Sequence, residues 1–282
     1  MLRKCPQTLG KSAQAGSPRI SDLSEIAAEG VATKRGQRVC ILRSQLTKKL
    51  KLGPAKMKAI RTVEEGIAGE VRIPIGDVTL TGDLIVPAAA RGLVLFAHGS
   101  GSSRHSPRNQ FVARVIRNAG VGTLLFDLLT PKEEEEERWS RHLRFNIELL
   151  AERLQGATAW IKSNENTRDL RIGYFGSSTG AAAAIIAAAQ VGEQVGAVVS
   201  RGGRPDLAGA VLSRVTSPTL LIVGGLDYQV IGLHQEPFDR LQCEKEMVIV
   251  PGATHLFEEP GTLEQVAALA ADWFEKHLVP VK

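Results

Sequence analysis

The chain has 282 residues, 43% hydrophobic and 23% charged, values that suit a soluble globular protein with one large α/β domain or two small ones. No apolar run reaches the roughly 18–20 residues of a membrane span, and Cys5, Cys40 and Cys243 form no CxxC pair for zinc or redox chemistry. The formal charge of +5 is unevenly divided, with 14 Lys and Arg against 5 Asp and Glu in residues 1–68, and 21 against 25 in the remainder.

Residues 1–68 are rich in Lys, Arg, Ser, Gly and Ala, lack any sustained apolar period and hold no acidic residue before Asp22. Such text cannot bury enough apolar surface to offset chain entropy, so a disordered basic extension is expected. Two other readings stay open: a transit peptide, which would also be basic and poor in acids, and a natural start at Met57. A nucleic-acid arm is the weakest reading, because nothing aromatic is interleaved with the charges. Without a signal-peptide pattern or a disulfide framework, a cytoplasmic location is expected.

Residues 69–282 read as one domain. Residues 71–75 and 79–86 are β-rich and flank Gly76-Asp77, which predicts an antiparallel hairpin. Residues 92–97 and 122–126 are continuous apolar runs, as strands buried on both faces should be, with a helix over 109–118 between them. The acidic run Glu133 to Glu137 is expected to be a solvated helix start or loop. Apolar residues at Leu143, Ile147, Leu150, Leu154 and Ile161 predict a helix over 142–162. Further buried strands are expected at 171–175, 195–200, 219–223 and 246–250, and a closing helix at 262–278. Strands alternating with helices predict an α/β fold, a mainly parallel sheet covered on both faces with the hairpin as an antiparallel edge.

The most informative segment is Arg171-Ile-Gly-Tyr-Phe-Gly-Ser-Ser178-Thr-Gly180, followed by four alanines. It reads strand, G-x-S-x-G, helix, a sharp turn that lifts Ser178 above the strand end and aims a helix N-terminus at a reacting oxyanion. A dinucleotide loop is disfavoured because glycines at 173, 176 and 180 do not make GxGxxG.

A serine nucleophile needs a base held by a carboxylate, in the chain order Ser, Asp or Glu, His for this geometry. The strand 220–223 runs into Gly224-Gly-Leu-Asp227, and the next strand runs into Pro251-Gly-Ala-Thr-His255. Asp227 and His255 are therefore expected on the carboxyl edge of the sheet with Ser178, where ligands gather in open α/β sheets. Asp206, after the strand 195–200, is the rival acid, although it follows a proline and also reads as the cap of a short helix near Leu207.

Two N–H donors should face the oxyanion. Thr179, next after the nucleophile, supplies one, and Ser100 in His98-Gly-Ser-Gly-Ser102 the other, with Gly99 as the near alternative. His98 precedes the nucleophile and is expected to brace this loop. Arg201, at a strand end, is a candidate for a substrate carboxylate, with a surface or salt-bridge role equally open.

HGSGSS at 98–103, FDLLTP at 126–131, GSSTG at 176–180, GGLDYQV at 224–230 and PGATHLFEEPG at 251–261 together resemble the dienelactone hydrolase-like group of the α/β-hydrolase superfamily. The resemblance implies that fold, the Ser178, Asp227 and His255 assignment, ester hydrolysis, and no metal or organic cofactor. Dienelactone hydrolases proper carry a cysteine nucleophile; Ser178 in its place points to a broader carboxylesterase. Some relatives are fused to a phosphoribosyltransferase domain, for which residues 1–68 are too short. Too few residues separate Ser178 from Asp227 for a large cap domain, so an open site for small or exposed acyl groups is expected. The expected partner is a small-molecule ester, not a nucleic acid or a membrane. A peptidase, a thioesterase and a non-catalytic binding protein on the same scaffold remain as alternatives.

Overall fold

A computed structural model of the chain describes residues 38–41, 66–140 and 142–279. The expectations for residues 1–68 otherwise lie outside the described residues. Among the described residues nine strands form one sheet: β1 (Arg38–Ile41), β2 (Ile67–Ile75), β3 (Val78–Val86), β4 (Gly92–Ala97), β5 (Gly122–Phe126), β6 (Arg171–Ser177), β7 (Val195–Arg201), β8 (Thr219–Gly224) and β9 (Lys245–Val250). Their spatial order is β1-β9-β8-β7-β6-β4-β5-β3-β2. β2 pairs antiparallel with β3, and β3 with β5, while the remaining pairs are parallel.

The helices are α1 (Pro107–Asn118), α2 (Pro131–Ser140), α3 (Ile147–Ser163), α4 (Thr179–Val191), α5 (Tyr228–Gly232), α6 (Gln235–Arg240) and α7 (Thr262–Leu278). Two cores follow from strand alternation. Leu95, Tyr174, Val198 and Leu221 point to the face covered by α3 and α4. Phe96, Phe175, Val199 and Ile222 point to the opposite face, under α1 and α7. Strands β4, β5 and β8 are buried along their whole length, so they read as unbroken apolar runs rather than alternating ones.

The chain runs from β4 out to β5 and then back across β4 to β6, so the order reverses at β4. That reversal leaves a crevice at the carboxyl ends of β4 and β6, which carry Ser100 and Ser178 in the loops that follow them. The connections at this edge are short helices and turns, with no separate cap domain among the described residues. No described helix is long and apolar enough to cross a membrane.

Candidate active site

Ser178 links β6 to α4 with φ 50° and ψ −122°, a conformation that L residues rarely adopt. The neighbouring glycines make this turn possible. A Cβ on Gly176 would lie 2.4 Å from Ala181 Cα, and one on Gly180 would lie 2.1 Å from the Ala97 carbonyl oxygen. Ser178 N–H donates to the Arg201 carbonyl at 3.3 Å, and its own carbonyl accepts from Arg204 N–H at 3.2 Å, so the strained residue is held from both sides. α4 is almost entirely buried and alanine-rich, which lets its N-terminus approach the strand ends closely.

The two loops expected to carry acid and base are tied together by backbone. Gly225 N–H donates to Val250 C=O at 2.8 Å and Leu226 N–H to Ala253 C=O at 2.9 Å. Gly224 permits this approach, since a Cβ there would stand 2.5 Å from the Ala253 oxygen. His255 Nδ1 and Asp227 Oδ2 are consequently 2.7 Å apart, with the imidazole 39% exposed and the carboxylate 12%. Glu259 fastens the histidine turn by accepting from Thr254 Oγ1 at 2.6 Å and from Thr254 N–H at 3.0 Å. The rival carboxylate is engaged elsewhere: Asp206 accepts from Arg204 Nε at 2.9 Å and Nη2 at 2.7 Å. Asp206 does not cap the following turn as expected; the cap position of the 3₁₀ segment Pro205–Arg214 is Arg204, and the fork of that arginine has claimed the carboxylate. No hydrogen bond joins Ser178 Oγ to His255 among the described residues. The loop after β7 touches both residues, with Arg204 N–H donating to Ser178 C=O at 3.2 Å and the Cβ position of Gly202 3.6 Å from His255 Cε1.

Across the crevice, Gly99 packs against the elbow, its Cβ position 3.0 Å from Ser178 Cβ. Leu128 N–H donates to His98 Nε2 at 3.2 Å, which leaves Nδ1 to carry the proton toward Gly99 C=O at 3.1 Å. Burial pushes the His98 pKa down, consistent with a neutral ring that braces the loop and is not free to act as a base. Ser100 N–H, expected to face an oxyanion, donates here to Thr179 Oγ1 at 3.2 Å. Thr179 opens α4, where the first N–H groups have no intrahelical acceptor.

Arg201 continues the Ala197, Val199 alternation and so lies on the α1 and α7 face. It is 7% exposed, and its Nε and Nη1 are buried without a hydrogen-bond partner. Burial, reinforced by the nearby charge of Arg108, pushes its pKa down to about 10. Of the roles left open for Arg201, no salt bridge is made among the described residues. A cavity of about 630 Å³ borders Ser100 and reaches Arg104, Arg108, Asp127 and Glu134; neither Ser178 nor His255 lines it. Among the described residues, no group of three His, Cys, Asp or Glu could hold a metal ion.

The run Glu133 to Glu137, expected to be a solvated helix start or loop, is a helix start that is solvated except at Glu137. It lies in α2, opened by a capping box in which Glu133 Oε2 accepts from Thr130 N–H at 2.7 Å and Thr130 Oγ1 accepts from Glu133 N–H at 3.2 Å. Glu137 is only 1% exposed, because Arg144 Nε donates to it at 2.5 Å and Leu143 N–H at 2.7 Å. Arg104 is a second residue whose role sequence reasoning does not reach. It reaches Glu70 at 2.8 Å, Asp127 at 3.1 Å and Asp83 at 3.5 Å, fastening the 98–106 loop to the leading hairpin.

The strand order, the covered sheet and the elbow at Ser178 define an α/β-hydrolase. Residues 111–279 match the dienelactone hydrolase family, and the chain belongs to it. A solved dienelactone hydrolase from Anabaena variabilis is 55% identical with a TM-score of 0.75, the match covering 76% of this chain and 100% of that one. Two Mycobacterium tuberculosis proteins, provisionally named phosphoribosyl transferases, are 57% identical over 209 residues, 74% of this chain and 46% of theirs. The chain thus spans about half the length of the curated relatives it matches. A Pyrococcus furiosus esterase shares the fold at 19% identity and a TM-score of 0.60, the match covering 76% of this chain and 92% of the esterase.

Proposed function

We propose that the protein hydrolyses carboxylic esters through an acyl-enzyme formed on Ser178. The observation that carries this reading is the 2.7 Å contact of His255 Nδ1 with Asp227, on the same sheet edge as the strained Ser178 turn. In this mechanism His255 Nε2 takes the Ser178 proton as Oγ attacks the ester carbonyl. The Thr179 N–H and the Ser100 N–H, the latter exchanging Thr179 Oγ1 for the substrate oxygen, receive the oxyanion, and collapse expels the alcohol with that proton. Water activated by His255 then attacks the acyl carbonyl and frees Ser178. Asp227 fixes the imidazole tautomer and supports its positive charge. The missing Ser178–His255 bond is compatible with this, since such bonds commonly tighten only with substrate bound.

Arg201, an unpaired buried guanidinium, is suited to the anionic group of a substrate, with Arg108 adding charge at the first turn of α1. The transferase name of the M. tuberculosis relatives belongs to proteins about twice as long, and the geometry of residues 66–279 favours acyl transfer to water. The test is labelling with a fluorophosphonate followed by peptide mapping, with turnover of p-nitrophenyl acetate as the second readout. Modification of Ser178, and loss of turnover by several orders of magnitude in Ser178→Ala, is expected. A mutant that keeps more than about a tenth of the activity sinks the assignment. A folded protein that neither labels nor turns over ester, thioester or peptide substrates would point to a binding role on this scaffold.

A further inference from the structure

Between α2 and α3 the chain forms a short 3₁₀ turn, Leu143–Phe145, held against α2 by one buried carboxylate. Both Glu137 oxygens are engaged, one by Arg144 Nε and one by Leu143 N–H, and Arg144 Nη2 adds a bond to the Glu137 carbonyl at 3.3 Å. A carboxylate so deeply buried would be costly without these donors, so the pair fixes where the turn lies.

The position of this turn matters because its backbone reaches the proposed oxyanion loop. Ser100 Oγ donates to the Arg144 carbonyl at 3.2 Å. The same Oγ is 3.0 Å from Thr179 Oγ1, which in turn accepts from Ser100 N–H at 3.2 Å. Proton accounting gives this chain one direction. A carbonyl only accepts, so the single Ser100 hydroxyl proton is committed to Arg144. The Ser100–Thr179 contact must then use the Thr179 proton, which leaves the Thr179 oxygen lone pairs for Ser100 N–H. The Arg144 carbonyl thereby sets the orientation of every hydrogen bond linking residues 100 and 179, the two residues whose N–H groups would hold the oxyanion. Gly99 and Gly101 flank Ser100, and Gly101 has φ +69°, so these side-chain bonds add to the Ser102 N–H to Gly99 C=O bond in keeping the loop beside α4.

We propose that Glu137 and Arg144 are positioning residues of the site, acting through Ser100 Oγ to hold the Ser100 backbone beside Thr179, where its N–H can exchange Thr179 Oγ1 for the oxyanion. This rests on the esterase reading above. An interaction of this kind serves the transition state rather than ground-state binding, so its loss should lower kcat and leave KM alone.

The test is a double-mutant cycle of Glu137→Gln and Ser100→Ala on p-nitrophenyl acetate, with melting temperatures recorded for each protein. Loss of a whole oxyanion donor costs about 10²–10³-fold, so a misplaced one should cost roughly tenfold in kcat with KM within about twofold. If both changes act along one chain, the double mutant should be no slower than the slower single mutant, within about twofold. Losses that multiply, or a kcat for Glu137→Gln within twofold of wild type, would overturn the proposal. Should Glu137→Gln fail to fold, Arg144→Lys keeps the charge but loses the Nε bond, and an unchanged kcat there overturns it equally. Ser178→Ala separates the two levels: residual turnover in that mutant sinks the esterase reading, whereas its inactivity beside a wild-type Glu137→Gln sinks only the positioning role.

Discussion

Replacing Arg201 by methionine should make the protein more stable and less selective. The substitution removes the guanidinium and keeps an unbranched apolar stem. Burial lowers the arginine pKa to about 10, which amounts to about 3 kcal/mol of unfavourable interaction for the charged form. Relaxation and imperfect packing of methionine reduce the gain to roughly 1–3 kcal/mol, a rise in Tm of about 2–10 °C for a domain of this size. The sign follows from linkage. A base whose folded pKa is lowered is disfavoured at all pH values below that pKa, so the difference is full at neutral pH. It should narrow as pH rises through about 10. Selectivity is read from kcat/KM for mono-p-nitrophenyl glutarate against p-nitrophenyl butyrate, which differ chiefly in a terminal carboxylate. A charge-assisted bond contributes about 1.5–3 kcal/mol, so the preference for the anionic ester should fall roughly 10- to 100-fold. A mutant with lowered Tm and an unchanged ester ratio would show that Arg201 is a structural residue.

Asp227→Asn should lower turnover on the order of 10⁴-fold by favouring the wrong histidine tautomer. Asp206→Asn, which breaks only a partly exposed pair with Arg204, should stay within a few-fold of wild type; the opposite pattern in steady-state kinetics would move the acid to the earlier strand. Gly180→Ala should unfold the elbow, because its Cβ has backbone oxygens at 2.1 Å and 2.5 Å, whereas Gly232→Ala meets nothing within 4 Å. Equal melting temperatures for these two mutants would refute the packing argument. Burial pushes the Glu137 carboxyl up, but the bonds from Arg144 and Leu143 outweigh it and hold the pKa below the usual glutamate range. Its contribution is therefore complete above that range and lost as pH falls, so the Tm gap between wild type and Glu137→Gln should close below about pH 4. A gap independent of pH would count against the ionised pair.

Features that depend on short stretches of chain were legible in the sequence. Residues 92–97 and 122–126 declare themselves as strands because both faces are buried. Gly176 and Gly180 mark the Ser178 turn because no larger residue fits between its backbone and Ala97 or Ala181. Asp227 and His255 could be placed on one edge because each follows a parallel strand directly. The contacts that join distant segments were not legible. Thr130 and Glu133 signal a helix start locally, but the burial of Glu137 depends on a turn that folds back at Arg144. The Ser100–Thr179 bond spans 79 positions and exists only because β4 and β6 are neighbours in a sheet whose order reverses there. Arg104 meets Glu70, Asp83 and Asp127 for a comparable reason, since β3 lies beside β5.

Several departures from ordinary folding preference gather at one end of the molecule. Ser178 has a backbone conformation that costs on the order of 1–3 kcal/mol. Phe257, two residues after His255, also has positive φ. Arg201 keeps a buried charge without a partner, and Ser200 Oγ beside it is likewise buried and unpaired. At the opposite ends of the strands Ser217 Oγ donates to Val195 C=O and Thr219 Oγ1 to Ser217 C=O, although His277 Nε2 there is buried without a hydrogen bond. A sequence selected for stability alone would have placed an ordinary turn at residue 178 and an apolar side chain at residue 201. That both exceptions persist around one crevice, on a sheet otherwise closely packed, is the expected signature of a surface shaped for chemistry. The same logic makes Arg201→Met the sharpest of the mutants above, because only a functional role predicts that stability and selectivity will move in opposite directions.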